Sequence, residues 1–472
     1  MFNIQKIGVN NNIFVGQPQK SVEQSKTNSL CSNPILCAAK TSNENSTIQQ
    51  QTFFGNVSSA NLMAYHPSFT ARVKDGLPSE KSQLKTVRAL LDKNSQVMLN
   101  RLEKKGILTD NSSNDGSTVL ENLYKIATEA RIPGLSTSQI LAETIKAMDN
   151  PSSITQKFGD IPDEVANQIE QETGTAFPQH AKNVASSSCV VTSMEYTLAS
   201  KYPAEFARFV KGLSSQDYCV DKKVKLSDID SNLASALWHL REFNTEHTID
   251  KNWEDVTVKI KPDRNAIVRA RVQTSYKDKG ERSCVDVLIQ SALLNLCSQN
   301  TYDALTDERT GKFNSDKSGL TDFEKNFGEQ IVFGKPKVSV VYQTIDETGT
   351  LTGYNCELSE MKQHILKSLE LGENVIIGYT HLNENKQVNG GHEITITGYR
   401  EDKQGNGYFI CNDTDDDIDE LIEYSEDKLL PLIHHAGIPK AALNEGDVVV
   451  EPWREILDEF QKMLAEEKQN QA

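Results

Sequence analysis

The sequence lacks long apolar runs. Hydrophobic residues make up 37% of its 472 positions, and no stretch approaches the roughly 18 apolar residues that a membrane-spanning helix needs. The first sixteen residues also lack the basic start, the apolar core and the small-residue cleavage site of a signal peptide. We therefore expect no membrane partner and a cytoplasmic location, with non-classical export as the alternative.

The sequence also lacks an excess of basic charge. Its 50 lysines and arginines are outnumbered by 66 aspartates and glutamates, and the net charge is −16. Nucleic acids and anionic membrane surfaces are bound mainly by basic protein surfaces. The composition therefore excludes both as main partners.

Closely spaced cysteine pairs are missing as well. No two cysteines have the CxxC spacing of a metal site, and their wide separation does not favour a disulfide framework. We predict reduced thiols, most of them small core residues. The eight cysteines are Cys31, Cys37, Cys189, Cys219, Cys284, Cys297, Cys356 and Cys411.

Changes in composition divide the chain into four predicted regions. Residues 1–68 form a polar tail, rich in Asn, Ser, Gln and Thr, that we expect to be disordered. Residues 69–160 form a helical N-terminal region, because apolar residues recur there at three- to four-residue intervals. Residues 161–425 form the main domain, and residues 426–472 form a C-terminal helical extension.

The main domain has helical patterns first and strand patterns later. Helices are predicted at 188–202 and 284–296, and short strands follow between 338 and 411. Residues 256–260 and 266–272 alternate apolar and polar side chains around KPDRN, which indicates a β-hairpin. This order predicts an α+β fold with an antiparallel sheet.

A second predicted hairpin carries the residues of a catalytic base. Two glycines precede His392, which opens a strand, and a Gly-Asn-Gly turn returns the chain to Asn412 and Asp413. Two antiparallel strands would bring the end of the second back toward His392. A side-chain acceptor there would fix the imidazole tautomer and leave the other ring nitrogen facing a nucleophile.

The candidate nucleophile is Cys189. It follows a run of three serines and opens a helical pattern, with Ser188 as a possible N-cap. Free N–H groups and the helix dipole at such a position favour the thiolate, the reactive form of cysteine. Gln179 and Asn183, just upstream, could donate an amide N–H to an oxyanion beside the backbone N–H of Cys189.

Cys284 is the alternative nucleophile. It also opens a helical pattern, because Ser283 and Asp286 have the spacing of a capping box. The preceding segment offers neither a small-residue loop nor an amide donor. These surroundings favour Cys189 and make Cys284 part of a structural helix.

These motifs resemble those of the papain-like cysteine peptidase superfamily, and most closely the bacterial double-glycine leader peptidases. The resemblance rests on C-x-x-T-S-M from Cys189, G-H-E-I-T-I-T-G-Y around His392 and Y-F-I-C-N-D before Thr414. It implies a helical lobe carrying Cys189 and a sheet lobe carrying His392 and Asp413. Alignment of the tyrosine before the last strand favours Asp413 as the orienting residue, with Asn412 as the alternative.

The sequence departs from the family at three points. No Trp or Gly follows Cys189, and the position of the family's oxyanion glutamine holds Asn183, with Gln179 further upstream. The interval between Cys189 and His392 is also longer than usual, which implies an insertion.

The resemblance implies hydrolysis of a protein or peptide substrate through a thioester acyl-enzyme, without a cofactor. Transglutaminases and deamidases use the same triad, and a non-catalytic member would bind peptide in the same groove. We expect no metal site, because adjacent residues such as His434 and His435 rarely point to one ion on regular structure. The acidic run 413–420 is interpreted as a solvated turn.

Overall fold

The computed structural model describes most of the chain between residues 76 and 444. The ranges described are 53–54, 76–157, 167–168, 170–171, 174, 186–229, 233–275, 282–298, 301–309, 319–415, 418–444 and 469. Most of the predicted tail 1–68 lies outside them, as does the amphipathic segment 453–464 of the predicted extension.

Helices dominate the first half of the chain. The described α-helices are α1 (Glu80–Ala89), α2 (Lys93–Lys104), α3 (Val119–Thr128), α4 (Thr137–Asp149), α5 (Cys189–Lys201), α6 (Pro203–Leu213), α7 (Leu226–Ile229), α8 (Leu233–Glu242), α9 (Arg264–Ser275), α10 (Cys284–Cys297), α11 (Asp322–Phe333), α12 (Leu358–Glu370) and α13 (Glu426–Leu429). The helical pattern predicted within 69–160 is confirmed by α1 to α4, and the helices predicted at 188–202 and 284–296 are confirmed by α5 and α10. None of these helices is long and apolar enough to cross a bilayer.

Strands dominate the second half. They are β1 (Phe53–Phe54), β2 (Val220–Lys225), β3 (His247–Ile249), β4 (Asp255–Ile260), β5 (Tyr302–Asp303), β6 (Glu308–Arg309), β7 (Lys337–Val341), β8 (Gln343–Ile345), β9 (Leu351–Tyr354), β10 (Val375–Leu382), β11 (Val388–Glu401), β12 (Gly407–Asn412), β13 (Ile422–Ser425) and β14 (Ile433–Pro439). The main sheet has the order β13-β12-β11-β10-β14-β7, and β1 also pairs with β11. Every pairing in it is antiparallel, so the chain has the predicted α+β class.

The main sheet separates two hydrophobic cores. Ile376 belongs to the core of the helical half, whereas Ile377 faces the core shared with α12. Successive strand residues point to opposite faces, which places one helical layer on each side of β10. The α12 residues Met361, Ile365 and Leu369 are buried at four-residue intervals and cover the second face.

The hairpin predicted around KPDRN is wrong in its second half. Residues 256–260 lie in β4, which pairs with β2 and β3, but residues 266–272 lie in helix α9. Asp263 accepts hydrogen bonds from the N–H groups of Asn265 and Ala266, so the apparent turn is a helix start. Buried positions 266, 269, 270 and 273 then have helical spacing.

Two of the predicted region boundaries do not correspond to separate units. Leu99 and Leu141 of the helical N-terminal region share one core with Val191 and Leu288 of the main domain. The predicted helical extension 426–472 contributes β14, which lies between β10 and β7 in the main sheet. This strand was not predicted, because the polar pair His434-His435 interrupts its apolar pattern.

Candidate active site

His392 and Asp413 meet at one end of the β11–β12 hairpin. His392 Nε2 lies 2.8 Å from Asp413 Oδ1, and the two side chains are 11% and 12% exposed. An ionised carboxylate can only accept, so Nε2 must carry the proton. Nδ1 is the ring nitrogen that remains for a second partner.

A β-bulge selects Asp413 over Asn412. The pairing of β11 with β12 shifts between Ile396 and Gly398, so that Thr395 lies opposite Asn412. Continuing this register puts Asp413 on the same face as His392, whereas the unshifted register would have put Asn412 there. Asn412 is instead buried on the other face, with its Oδ1 unpartnered among the described residues.

Asp413 is held by two further donors. Its Oδ1 also accepts from the backbone N–H of Asp415 at 3.1 Å, and its Oδ2 accepts from the Tyr424 hydroxyl at 3.0 Å. Burial acts to raise the pKa of Asp413, but these hydrogen bonds and the one from His392 outweigh it and lower the pKa below its usual range. Asp413 is therefore a fixed, ionised acceptor.

His392 also lies beside Cys189, the first residue of α5, closely enough for the thiol to affect the pKa of the imidazole. Burial acts to lower the pKa of His392, but the interactions with Asp413 and Cys189 raise it well above its usual range. The Tyr379 ring meets the imidazole edge-on, with centroids 5.8 Å apart at 84°. The imidazole is thus positioned by a thiol, a carboxylate and an aromatic ring.

The turn before Cys189 differs in detail from the prediction. Ser188 occupies the N-cap position, but its side chain does not cap α5. Its hydroxyl instead contacts Thr192 and Gln290, each at 3.2 Å. The first-turn N–H groups of α5, including that of Cys189, are therefore not occupied by Ser188.

A buried arginine anchors this turn. The Arg282 guanidinium donates to the hydroxyls of Ser186 and Ser188 and forms an ion pair with Asp307. Its Nε donates to the backbone carbonyl of Gln156 at 3.1 Å. Arg282 lies in the segment before Cys284, where the sequence had given no indication of a contact with the site.

Gln156 joins the nucleophile turn to the Asp413 turn. Its side-chain amide donates to the Ser186 carbonyl at 3.3 Å and accepts from the Thr414 hydroxyl at 2.9 Å. Its backbone N–H also donates to the carbonyl of Thr414 at 3.0 Å. Because Gln156 is 2% exposed, this connection is shielded from water.

The two candidate nucleophiles lie in different surroundings. Cys189 is half-buried and lies beside His392, whereas Cys284 is fully buried in the helical core. Burial raises the pKa of the Cys284 thiol well above its usual range. Gln179 and Asn183, the predicted oxyanion donors, lie outside the described residues.

Sequence reasoning missed four residues that support the site: Gln156, Arg282, Tyr379 and Tyr424. Tyr379 could have been found from the strand before His392, because β10 pairs it directly with His392. Tyr424 follows an acidic loop without a recognisable motif. Gln156 and Arg282 carry no local signal, because their partners are distant in sequence.

Comparison with protein-family models, with curated protein sequences and with solved structures found no match.

Proposed function

We propose that the chain is a cysteine peptidase with papain-like chemistry, acting through Cys189, His392 and Asp413. The observation that carries the proposal is that one imidazole is hydrogen-bonded to an ionised carboxylate and lies beside a thiol at the start of a helix. This is the nucleophile–base–orienter arrangement on which acyl transfer by thiols depends.

In the proposed reaction, the Cys189 thiolate attacks a peptide carbonyl and forms a tetrahedral oxyanion. The backbone N–H groups in the first turn of α5, which the Ser188 side chain does not cap, are suited to stabilise that oxyanion. The His392 imidazolium then protonates the leaving amine, and the C–N bond breaks to leave a thioester. His392 next removes a proton from water, which attacks the thioester and releases the acid product and the thiol.

Cys189 is preferred to Cys284 as the nucleophile because attack needs both a base and access to substrate. Cys189 is partly exposed beside His392, whereas Cys284 is 0% exposed. A deeply buried thiol with a raised pKa carries little thiolate at neutral pH.

A peptide-library cleavage assay tests the proposal. We expect Cys189→Ala to lower cleavage by on the order of 10⁶-fold, as for removal of the nucleophile in other triads. Cys219→Ala is the matched control, since Cys219 is also a half-buried free thiol, and it should cleave normally, as should Cys284→Ala. Loss of cleavage in Cys284→Ala alone would contradict the choice of nucleophile.

Two further results would contradict peptide hydrolysis itself. If no peptide is cleaved and iodoacetamide labels Cys189 no faster than Cys219, the thiol is not activated and the site only binds. If the acyl group passes to an added primary amine in preference to water, the enzyme is a transferase. Fast labelling of Cys189 that is lost in His392→Ala is the result that we expect.

A further inference from the structure

A second polar cluster lies where β14 meets β10. The pairing of these strands shifts, so that Gly378 lies opposite His435 and Tyr379 lies opposite Ile433, with His434 as the extra residue. Such a bulge breaks the alternation of side chains and lets two successive residues approach each other. Nδ1 of His434 and Nδ1 of His435 are 2.9 Å apart.

Asp322, the first residue of α11, completes the cluster. Its Oδ1 lies 3.3 Å from His435 Nδ1, and one potential ligand atom from each of Asp322, His434 and His435 lies within 4.8 Å of the others. Gly378 makes room for the arrangement, because a Cβ there would overlap the His435 ring and the Glu393 carboxylate.

Glu393 lies against the far side of the His435 ring. Its Oε1 lies 2.7 Å from His435 Nε2, and its Oε2 accepts from Lys325 Nζ at 2.9 Å. His435 Nδ1, on the other side of the ring, lies 3.3 Å from Asp322 Oδ1 and 2.9 Å from His434 Nδ1. Potential ligand atoms of three side chains therefore converge at one place.

We propose that Asp322, His434 and His435 bind a zinc ion. Zinc ligands at about 2.0–2.1 Å from the ion in tetrahedral geometry are roughly 3.3 Å apart, close to the two measured separations. Two imidazoles with one carboxylate suit zinc better than calcium or magnesium, which prefer oxygen ligands. The contact of Glu393 with the far nitrogen of His435 is the carboxylate–histidine–metal arrangement that orients a ligand.

The zinc would join two layers of the fold. Asp322 starts a helix of the helical half, whereas His434 and His435 belong to the main sheet. Three protein ligands leave a fourth position for water or another ligand. Glu393 directly follows His392 on β11, so the site would also brace the strand that carries the proposed base.

Zinc titration of the full chain tests this inference. The measurement uses a Cys189→Ser background, because a thiol beside His392 could itself bind zinc. After chelation and dialysis, zinc is titrated in competition with a chromophoric chelator. We expect one ion per chain, bound at least tenfold more weakly in His434→Ala and in Asp322→Asn.

Matched controls are His247→Ala, a half-buried histidine of β3, and Asp419→Asn, an exposed carboxylate. Both should bind zinc like the background protein. Thermal unfolding without zinc shows whether each variant is folded, and added zinc should raise Tm in the background and the controls only.

The competing explanation is a proton in place of the metal. The hydrogen bond between His434 and His435 would then satisfy the cluster without an ion. If the background protein binds no zinc, or if His434→Ala and Asp322→Asn bind it as tightly as the controls, the zinc site is refuted.

Discussion

His392 and Asp413 are joined by a 2.8 Å hydrogen bond between Nε2 and Oδ1, across two neighbouring antiparallel strands. The bond depends on the bulge between Ile396 and Gly398, which turns Asp413 toward the imidazole. Its consequences can be measured in the pH dependence of activity and of stability.

Replacement of Asp413 by asparagine should shift the alkaline limb of the kcat/KM profile to lower pH. That limb reports loss of the proton that His392 gives to the leaving amine. Asp413 raises the pKa of His392, so its loss lowers that pKa, and activity should fall by about 10²-fold or more. Asp402→Asn, in the exposed turn of the same hairpin, is the control and should leave the limb in place. An unchanged limb in Asp413→Asn would argue against the pairing.

The same pair predicts how stability depends on pH. The raised pKa of His392 gives stabilisation that is full below about pH 6.5 and is lost as pH rises through the folded-state pKa. The lowered pKa of Asp413 gives stabilisation that is full above about pH 3.9 and is lost as pH falls through its folded-state pKa.

The free energy of unfolding of the wild type, minus that of Asp413→Asn, should therefore be largest between about pH 4 and 6.5. Urea denaturation of both proteins across pH measures this difference. A difference that grows above pH 7 would contradict the pairing.

Gln156→Ala should weaken the connection between the turns that carry Cys189 and Asp413. It leaves the buried Thr414 hydroxyl and Ser186 carbonyl without these partners, at an expected cost of about 1–3 kcal/mol in unfolding free energy. Misplacement of the triad should lower kcat more than it changes KM. Gln83→Ala removes an equally buried glutamine that bonds to Pro78, and it should cost stability without changing kcat. Equal kcat in the two variants would show that Gln156 has no positioning role.

Gly378→Ala should destabilise the contact between β10 and β14. The added methyl group would overlap His435 and Glu393, and such overpacking costs about 1–3 kcal/mol or more. Gly353→Ala, in β9, is the control because open space surrounds that position. In chemical denaturation, Gly378→Ala should have a lower midpoint than Gly353→Ala. Equal midpoints would mean that β14 can move away from β10 at little cost in free energy.

Local sequence patterns were sufficient for helices α1 to α5 and α10 and for strands β4, β7, β10, β11 and β12, because burial on one face imposes a period on each element. The alternation of apolar and polar residues at 266–272 led to a wrong strand prediction, because a seven-residue run of mixed polarity fits either a strand or a helix. Asp263 favours the helix because its side chain caps the helix start. The buried residues of this segment then have helical spacing. The strand of His434 and His435 was missed because its two polar side chains contact Asp322 and Glu393 inside the protein.

Sequence alone was enough to identify the hairpin, its histidine and the two cysteines that open helices, because glycines, turn residues and caps act over a few positions. It favoured Cys189 over Cys284 from their local surroundings alone, whereas the decisive difference is which helix end the folded sheet brings to His392. Nor could it predict the bulge that turns Asp413, and not Asn412, toward the imidazole. A shift of one residue in strand register reverses every side chain beyond it, and this register depends on how the sheet packs as a whole.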